Sequence, residues 1–120
     1  MLGRKKRNWE QAVAKVHSES TCRFCGLNTF QLAEHQLRLE TVHLVPRQYD
    51  PLNEDGETWV DPDTVVAACG PATSSASCHS RFDRGYLDVL CWLTRAEQAA
   101  VVRAVGLERA DVRLTRRVEA

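Results

Sequence analysis

The sequence has no excess of charge of either sign, no long apolar run and no internal repeat. Its 120 residues include 16 basic and 16 acidic side chains, so bulk charge identifies no partner. No apolar stretch approaches the length needed to span a membrane, and the first residues are not followed by the apolar core of a signal peptide. We therefore expect a protein of the cytoplasm with no membrane partner, a compartment in which disulfides are scarce.

Five cysteines stand out in a chain that is long enough for only one small core. Cys22 and Cys25 form one close pair, and Cys69 and Cys78 form a second, looser pair. Because thiols stay reduced in the cytoplasm, this pairing favours a tetrahedral structural zinc site over cross-links. The alternative is that some of the four are only buried apolar side chains. The fifth, Cys91, lies between apolar neighbours and is predicted to be a small buried side chain.

The first part of the chain predicts a helix and a basic arm. Trp9, Val13 and Val16 recur at helical spacing, which predicts a short helix from about residue 8 to 17 with Asn8 as its cap. A basic run at residues 4–7 precedes it, and this run suits phosphate binding and simple solubility equally well.

Two strands are predicted in the middle of the chain. Residues 37–45 are rich in strand-forming side chains and stop at Pro46, and residues 64–68 form a second such run that ends at Cys69. The acidic segment 47–63 between them contains proline and glycine and is predicted to be a solvated loop. The second strand is therefore expected to return antiparallel to the first.

The remainder of the chain is predicted to be helical. One helix is expected from Cys78 to Gly85, and a capping box at Thr94 to Glu97 predicts the start of another that ends at Gly106. One face of a last helix is marked by Leu107, Ala110, Leu114 and Val118.

The order of these motifs resembles the HNH endonuclease family, in particular its small phage-encoded members. A Cys-x2-Cys pair is followed by a strand ending in His-x-x-Pro-Arg at residues 43–47, and then by a return strand leading to Cys69 and Cys78-His79. The resemblance implies an α+β fold with a zinc-stabilised ββα-metal (His-Me finger) core at residues 22–85. A basic arm and N-terminal helix at residues 1–21 and C-terminal helices at residues 86–120 would flank that core.

The resemblance also implies an activity. Hydrolysis of a phosphodiester bond needs an activated water and a divalent cation, here Mg²⁺, Mn²⁺, Ni²⁺ or Zn²⁺. His43 corresponds to the general base of the family, while His79 and Asp83, four residues apart on one helix face, correspond to cation ligands. The alternatives are a strand histidine without a catalytic role and a surface carboxylate paired with Arg81 or Arg84.

Two residues depart from the family pattern. Val42 occupies the place of a cation ligand, although Glu40, on the same side of the strand, is able to reach across in its place. Thr64 stands where the family has an asparagine that ties a loop, and it is expected to support the site through a hydrogen bond. Four arginines near the site are predicted to contact DNA phosphates: Arg38, Arg47, Arg81 and Arg84.

The predicted function is therefore a metal-dependent DNA endonuclease. Its partners are DNA and, by the same resemblance, other phage proteins such as the packaging machinery, in the cytoplasm of a bacterial host. The alternative, favoured by Val42 and Thr64, is a catalytically impaired, zinc-stabilised module that binds nucleic acid or protein.

Overall fold

The computed structural model describes residues 2–46 and 60–115, with side chains from Trp9 onward in the first range. Helices α1 (Leu2–His17) and α2 (Thr29–Glu34) precede strand β1 (Arg38–His43). Strand β2 (Val65–Gly70) is followed by helices α3 (Cys78–Asp83), α4 (Arg95–Val105) and α5 (Leu107–Leu114). The fold is α+β, as the sequence predicts. None of the helices in these two ranges combines the length and the apolar character needed to cross a membrane.

The two strands form one antiparallel sheet, which confirms the predicted return of the chain. Arg38 lies opposite Gly70 at one end of the pairing, and His43 lies opposite Val65 at the other. Cys69 is paired with Leu39 inside β2 rather than following the strand. The second cysteine pair therefore begins on a hydrogen-bonded strand, which fixes the position of its first thiol.

The sheet is packed on both faces. Val42 and Val66 point into the main core, which they share with Phe82 of α3 and with apolar side chains of α4 and α5. On the other face, Val65 of β2 packs against Val16 in a smaller cluster beneath α1. Since neighbouring strand residues point to opposite faces, the side chains of β1 are divided between these two environments.

The N-terminal part of the fold differs from its prediction in two ways. Helix α1 begins at Leu2 rather than near residue 8, so Asn8 lies inside it and does not cap it. The basic run is made of good helix formers and continues the helix toward the N-terminus. Helix α2 was not predicted, although its capping box of Asn28 and Gln31 could have revealed it.

The C-terminal helices largely follow their local signals. Thr94 Oγ1 accepts from the N–H of Glu97 at 3.1 Å, and the carboxylate of Glu97 accepts from the N–H of Thr94 at 2.8 Å, which confirms the capping box. Gly85 (φ 78°) follows α3, and Gly106 (φ 87°) ends α4, as predicted. Leu107, however, is 74% exposed, so it does not belong to the buried face of α5. Val118 and the loop residues 47–59 lie outside the described residues.

Residues 86–93 were predicted to be helical, and the side chain of Cys91 was predicted to be buried. Both predictions are wrong. This segment contains only a short 3-10 turn, Leu90–Trp92, and Cys91 is exposed on it. Val89 and Leu93, on either side of the turn, occupy the buried positions instead. The turn between them consequently lies on the surface.

Candidate metal centre and histidine cluster

The structure brings the four paired cysteines together at one point. The sulfur atoms of Cys22, Cys25, Cys69 and Cys78 all lie within 4.8 Å of one another. Zinc with four thiolate bonds of about 2.3 Å has sulfurs about 3.8 Å apart, so the four thiols need to approach by at most about 1 Å. Both the donor set and its spacing fit a structural zinc ion, and we call these four residues the cysteine cluster.

Local hydrogen bonds build each half of the cysteine cluster. In the first half, Gly26 (φ 77°) donates its N–H to the carbonyl of Cys22 at 2.9 Å, which closes the turn that carries Cys25. The second half lies between β2 and the first residue of α3. There the one hydroxyl proton of Ser77 is shared between the carbonyls of Pro71, 2.8 Å away, and Ser74, 2.9 Å away, which holds the connecting loop in a compact form.

Hydrogen bonds to sulfur prepare the cysteine cluster for a cation. The N–H of Cys69 lies 3.3 Å from the sulfur of Cys22, and the N–H of Cys78 lies 3.2 Å from the sulfur of Cys69. A hydrogen bond from the Cys78 thiol lowers the pKa of Cys22 to about 4, and the same bond raises the pKa of Cys78. Burial raises the pKa of Cys69 to about 11. Binding of zinc therefore has to displace protons from the neutral thiols.

A second cluster lies beside the cysteine cluster, because His79 directly follows Cys78 on α3. Nε2 of His79 lies 3.5 Å from Oδ2 of Asp83, one helical turn further on. Nδ1 of His79 lies 2.9 Å from Oε1 of Glu40, on β1. The structure therefore brings the two predicted cation ligands together and adds a second carboxylate. We call Glu40, His79 and Asp83 the imidazole cluster.

His43, the predicted base, lies on the other face of β1. Glu40 and Val42 point toward the main core and α3, so His43, at an odd position of the strand, points toward α1. Its ring is stacked on that of Trp9, with centroids 5.8 Å apart and planes 6° apart. Val42 is 0% exposed, so the residue in place of the family's cation ligand is a core side chain.

Thr64 lies where it can hold the end of β1. Its carbonyl accepts from the N–H of Leu44, the residue after His43, at 2.8 Å. Its hydroxyl donates to the carbonyl of Asp61 at 2.7 Å. On the other side of Leu44, Nε of Arg113 donates to the Leu44 carbonyl at 3.0 Å. The backbone next to His43 is thus held by two contacts, and the one from Thr64 is made by its backbone carbonyl and not by its side chain.

The four arginines that were predicted to contact DNA phosphates have different surroundings. Arg38 is exposed, and its guanidinium donates to Oε2 of Glu40 at 3.1 Å, so it borders the imidazole cluster. Arg81 is also exposed. Arg84 donates to the carbonyl of Ser75 at 3.1 Å and lies over the ring of Tyr86. Arg47 lies outside the described residues.

A buried network that the sequence did not predict supports the first cysteine turn. Glu97 accepts from Arg23 at 2.5 Å and from Lys15 at 2.7 Å. Arg23, which lies between the first two cysteines, also pairs with Glu19, and Glu19 accepts from the N–H of Ala67 in β2 at 2.9 Å. The turn is thereby joined to α1, β2 and α4. The capping box at Thr94 to Glu97 predicted the start of a helix, but no local signal predicted that the side chain of Glu97 is buried.

No match is found for this chain among family models, among curated proteins or among solved structures. A function is therefore proposed from the chemistry of the two clusters and of His43.

Proposed function

We propose that this chain is a metal-dependent endonuclease of the HNH type, which hydrolyses phosphodiester bonds in DNA. The main support is the position of His79 and Asp83, 3.5 Å apart on the helix that also carries the last cysteine of the cysteine cluster. A structural zinc ion on these cysteines would hold that helix against β2. The pair of donors next to it, an imidazole nitrogen and a carboxylate oxygen, suits a second and more exchangeable divalent cation.

Each residue has a role in this proposal. A divalent cation held by His79 and Asp83 supplies the positive charge that neutralises the phosphate and the leaving 3′ oxygen. His43 takes the proton from the attacking water at a ring nitrogen. Thr64 holds the backbone that follows His43, and Arg38 contacts a neighbouring phosphate.

The proposal also requires a particular path for the DNA. His43 and the imidazole cluster lie on opposite faces of β1. A phosphate in reach of both would therefore have to lie across β1, between its two faces. Exposed Arg38 on the same strand and exposed Arg81 on α3 are suited to hold the phosphates on either side.

Nicking of supercoiled plasmid tests the proposed function directly. The zinc-loaded protein is expected to nick plasmid with at least one of Mg²⁺, Mn²⁺, Ni²⁺ and Zn²⁺. His43→Ala and His79→Ala should abolish nicking while the zinc content stays unchanged, and His35→Ala, at an exposed position after α2, is the matched control. If plasmid stays supercoiled with all four cations, the proposal is wrong.

A second candidate function is a zinc-stabilised module that binds nucleic acid or protein without cleaving. It is favoured by the burial of Val42 in the core and by the stacking of His43 on Trp9, away from the imidazole cluster. It predicts retention of DNA that weakens as salt rises, with no cleavage. A module that contacts only protein would not retain DNA even at low salt.

A further inference from the structure

We propose that Glu40 is a positioning residue that holds the proton of His79 on Nδ1, so that the lone pair of Nε2 faces Asp83. We further infer that Gly70 provides the space through which Glu40 reaches the imidazole. The use of Nε2 and Asp83 as a divalent-cation site rests on the function proposed above. The orientation of the ring does not, because it follows from contacts within the protein.

The two oxygens of the Glu40 carboxylate have separate partners. Oε1 lies 2.9 Å from Nδ1 of His79, and Oε2 accepts from Arg38 at 3.1 and 3.3 Å. An ionised carboxylate only accepts hydrogen bonds, so Nδ1 has to be the donor in its contact with Glu40. A neutral imidazole carries one N–H, which leaves Nε2 as an acceptor.

The free nitrogen then faces another acceptor. Nε2 of His79 lies 3.5 Å from Oδ2 of Asp83, and no proton is available between them while the ring is neutral. Two acceptors at this separation are suited to share a cation. A carboxylate that accepts from the distal nitrogen of a ligating histidine fixes the tautomer and makes the ligand more basic. Glu40 therefore acts through His79 rather than replacing the ligand that Val42 cannot supply.

Gly70 gives this arrangement a second, independent support. Glu40 lies opposite Ala68, so Gly70, two residues further along β2, is its diagonal neighbour on the same face. A Cβ atom at Gly70 would lie 1.9 Å from Oε1 and 2.3 Å from Cδ of Glu40. The carboxylate thus crosses directly over the Gly70 backbone on its way to α3. Any side chain at this position displaces it.

Gly70 also offers a way to move Glu40 without removing its charge. Gly70 is not among the glycines with positive φ, so alanine can adopt its backbone conformation. The atoms that the new methyl group meets belong to the end of the flexible Glu40 side chain. Gly70→Ala is therefore expected to shift the carboxylate and to leave the sheet intact.

Nitrogen NMR of the imidazole side chains in the full, zinc-loaded chain tests the inference before any second cation is added. The four histidines are assigned by single substitutions, and the spectrum is recorded where the His79 ring is neutral. We expect the proton of His79 on Nδ1 in the unmodified chain. In Glu40→Ala and Gly70→Ala the ring proton of His79 should no longer be confined to Nδ1, so the spectrum should show a mixture of both tautomers. Glu34→Ala, which removes an exposed carboxylate at the end of α2, should leave the spectrum unchanged.

Calorimetric titration with Mn²⁺ gives a second readout on the same proteins. Loss of an outer partner of a metal-bound histidine typically weakens metal affinity 10- to 100-fold, so we expect a decrease of that size in both variants. If Glu40→Ala does not fold, Gly70→Ala carries the same test with the charge retained. A proton on Nε2 in the unmodified chain, or a His79 tautomer that neither variant changes, would overturn the inference.

The inference and the proposed function fail in different ways. If the tautomer shifts as expected but no plasmid is nicked, the endonuclease is wrong and the role of Glu40 stands. If plasmid is nicked while neither substitution changes the tautomer of His79, the role of Glu40 is wrong and the endonuclease stands.

Discussion

The ammonium group of Lys15 lies 2.7 Å from a carboxylate oxygen of Glu97, a side chain that is only 1% exposed. The other oxygen of Glu97 accepts from Arg23. Burial alone would raise the pKa of Glu97, but the hydrogen bonds from Arg23 and Lys15 lower it from 4.5 to about 2. One buried negative charge therefore joins α1, the first cysteine turn and α4.

This depressed pKa predicts how stability depends on pH. The contribution of Glu97 is fully present above its unfolded pKa, near 4.5, and is lost as pH falls toward 2. A shift of this size corresponds to about 3 kcal/mol of unfolding free energy. Glu97→Gln should be destabilised by about 3–5 kcal/mol at pH 7, because it leaves two cations without their buried partner.

Urea unfolding between pH 3 and pH 7 measures this effect. Acid also protonates the cysteines, so the informative quantity is the difference between the unmodified chain and Glu97→Gln at each pH. That difference should shrink as pH falls below about 4.5, in the range where the carboxylate gains its proton. Two curves that stay parallel over the whole range would contradict the assignment.

Metal content is the next prediction. The protein is expected to bind one zinc ion per chain tightly, measured by elemental analysis after dialysis. Cys69→Ser should lose the ion, whereas Cys91→Ser should keep it, because Cys91 lies exposed on a turn outside the cysteine cluster.

Removal of the zinc should also unfold the cysteine turns. Structural zinc contributes roughly 10–16 kcal/mol of binding free energy in small domains, which is comparable to the whole net stability of a domain, about 5–15 kcal/mol. A chelator is therefore expected to abolish the cooperative thermal transition, followed by circular dichroism. A transition that is the same with and without chelator would argue against a structural metal.

Thr64 gives a smaller and more local prediction. Thr64→Val keeps the shape of this buried side chain but removes the hydroxyl that donates to the carbonyl of Asp61. We expect a loss of about 1 kcal/mol in unfolding free energy, since the net contribution of one such hydrogen bond is 0.5–1.5 kcal/mol. Thr64→Ser retains the hydroxyl and should lose less. Equal losses in the two variants would show that packing, and not the hydrogen bond, decides stability here.

Signals that act over a few residues predicted much of this fold. The capping box at Thr94 and the ends of helices at Gly85 and Gly106 all depend on neighbours within about four residues along the chain. The two cysteine pairs could also be recognised in the sequence, because each pair is a local feature that indicates either a zinc site or buried side chains. Antiparallel strands followed from their spacing and from the loop between them.

Contacts between distant parts of the chain were not predictable in this way. The bond from Glu40 to His79 depends on the register of β1 against β2 and on the missing side chain of Gly70. The burial of Glu97 depends on cations from α1 and from the first cysteine turn. Cys91 lies among apolar residues in the sequence, yet its turn lies on the surface. The buried positions on either side of the turn are occupied by Val89 and Leu93.

The stacking of Trp9 on His43 gives the last prediction, which links α1 to the proposed chemistry. The two rings are nearly parallel, so the indole covers one face of the imidazole. If His43 is the base, loss of this contact removes one constraint on the position of the ring, and a misplaced catalytic group can cost on the order of 100-fold in rate. Trp9→Ala should therefore nick plasmid 10- to 100-fold more slowly than the unmodified chain, by this estimate.

Trp9→Phe, which keeps an aromatic face, should recover part of the rate, and Trp92→Ala, an exposed tryptophan on the distant 3-10 turn, is the control. Equal rates for Trp9→Ala and the unmodified chain would mean that the stacking on helix α1 does not orient the base.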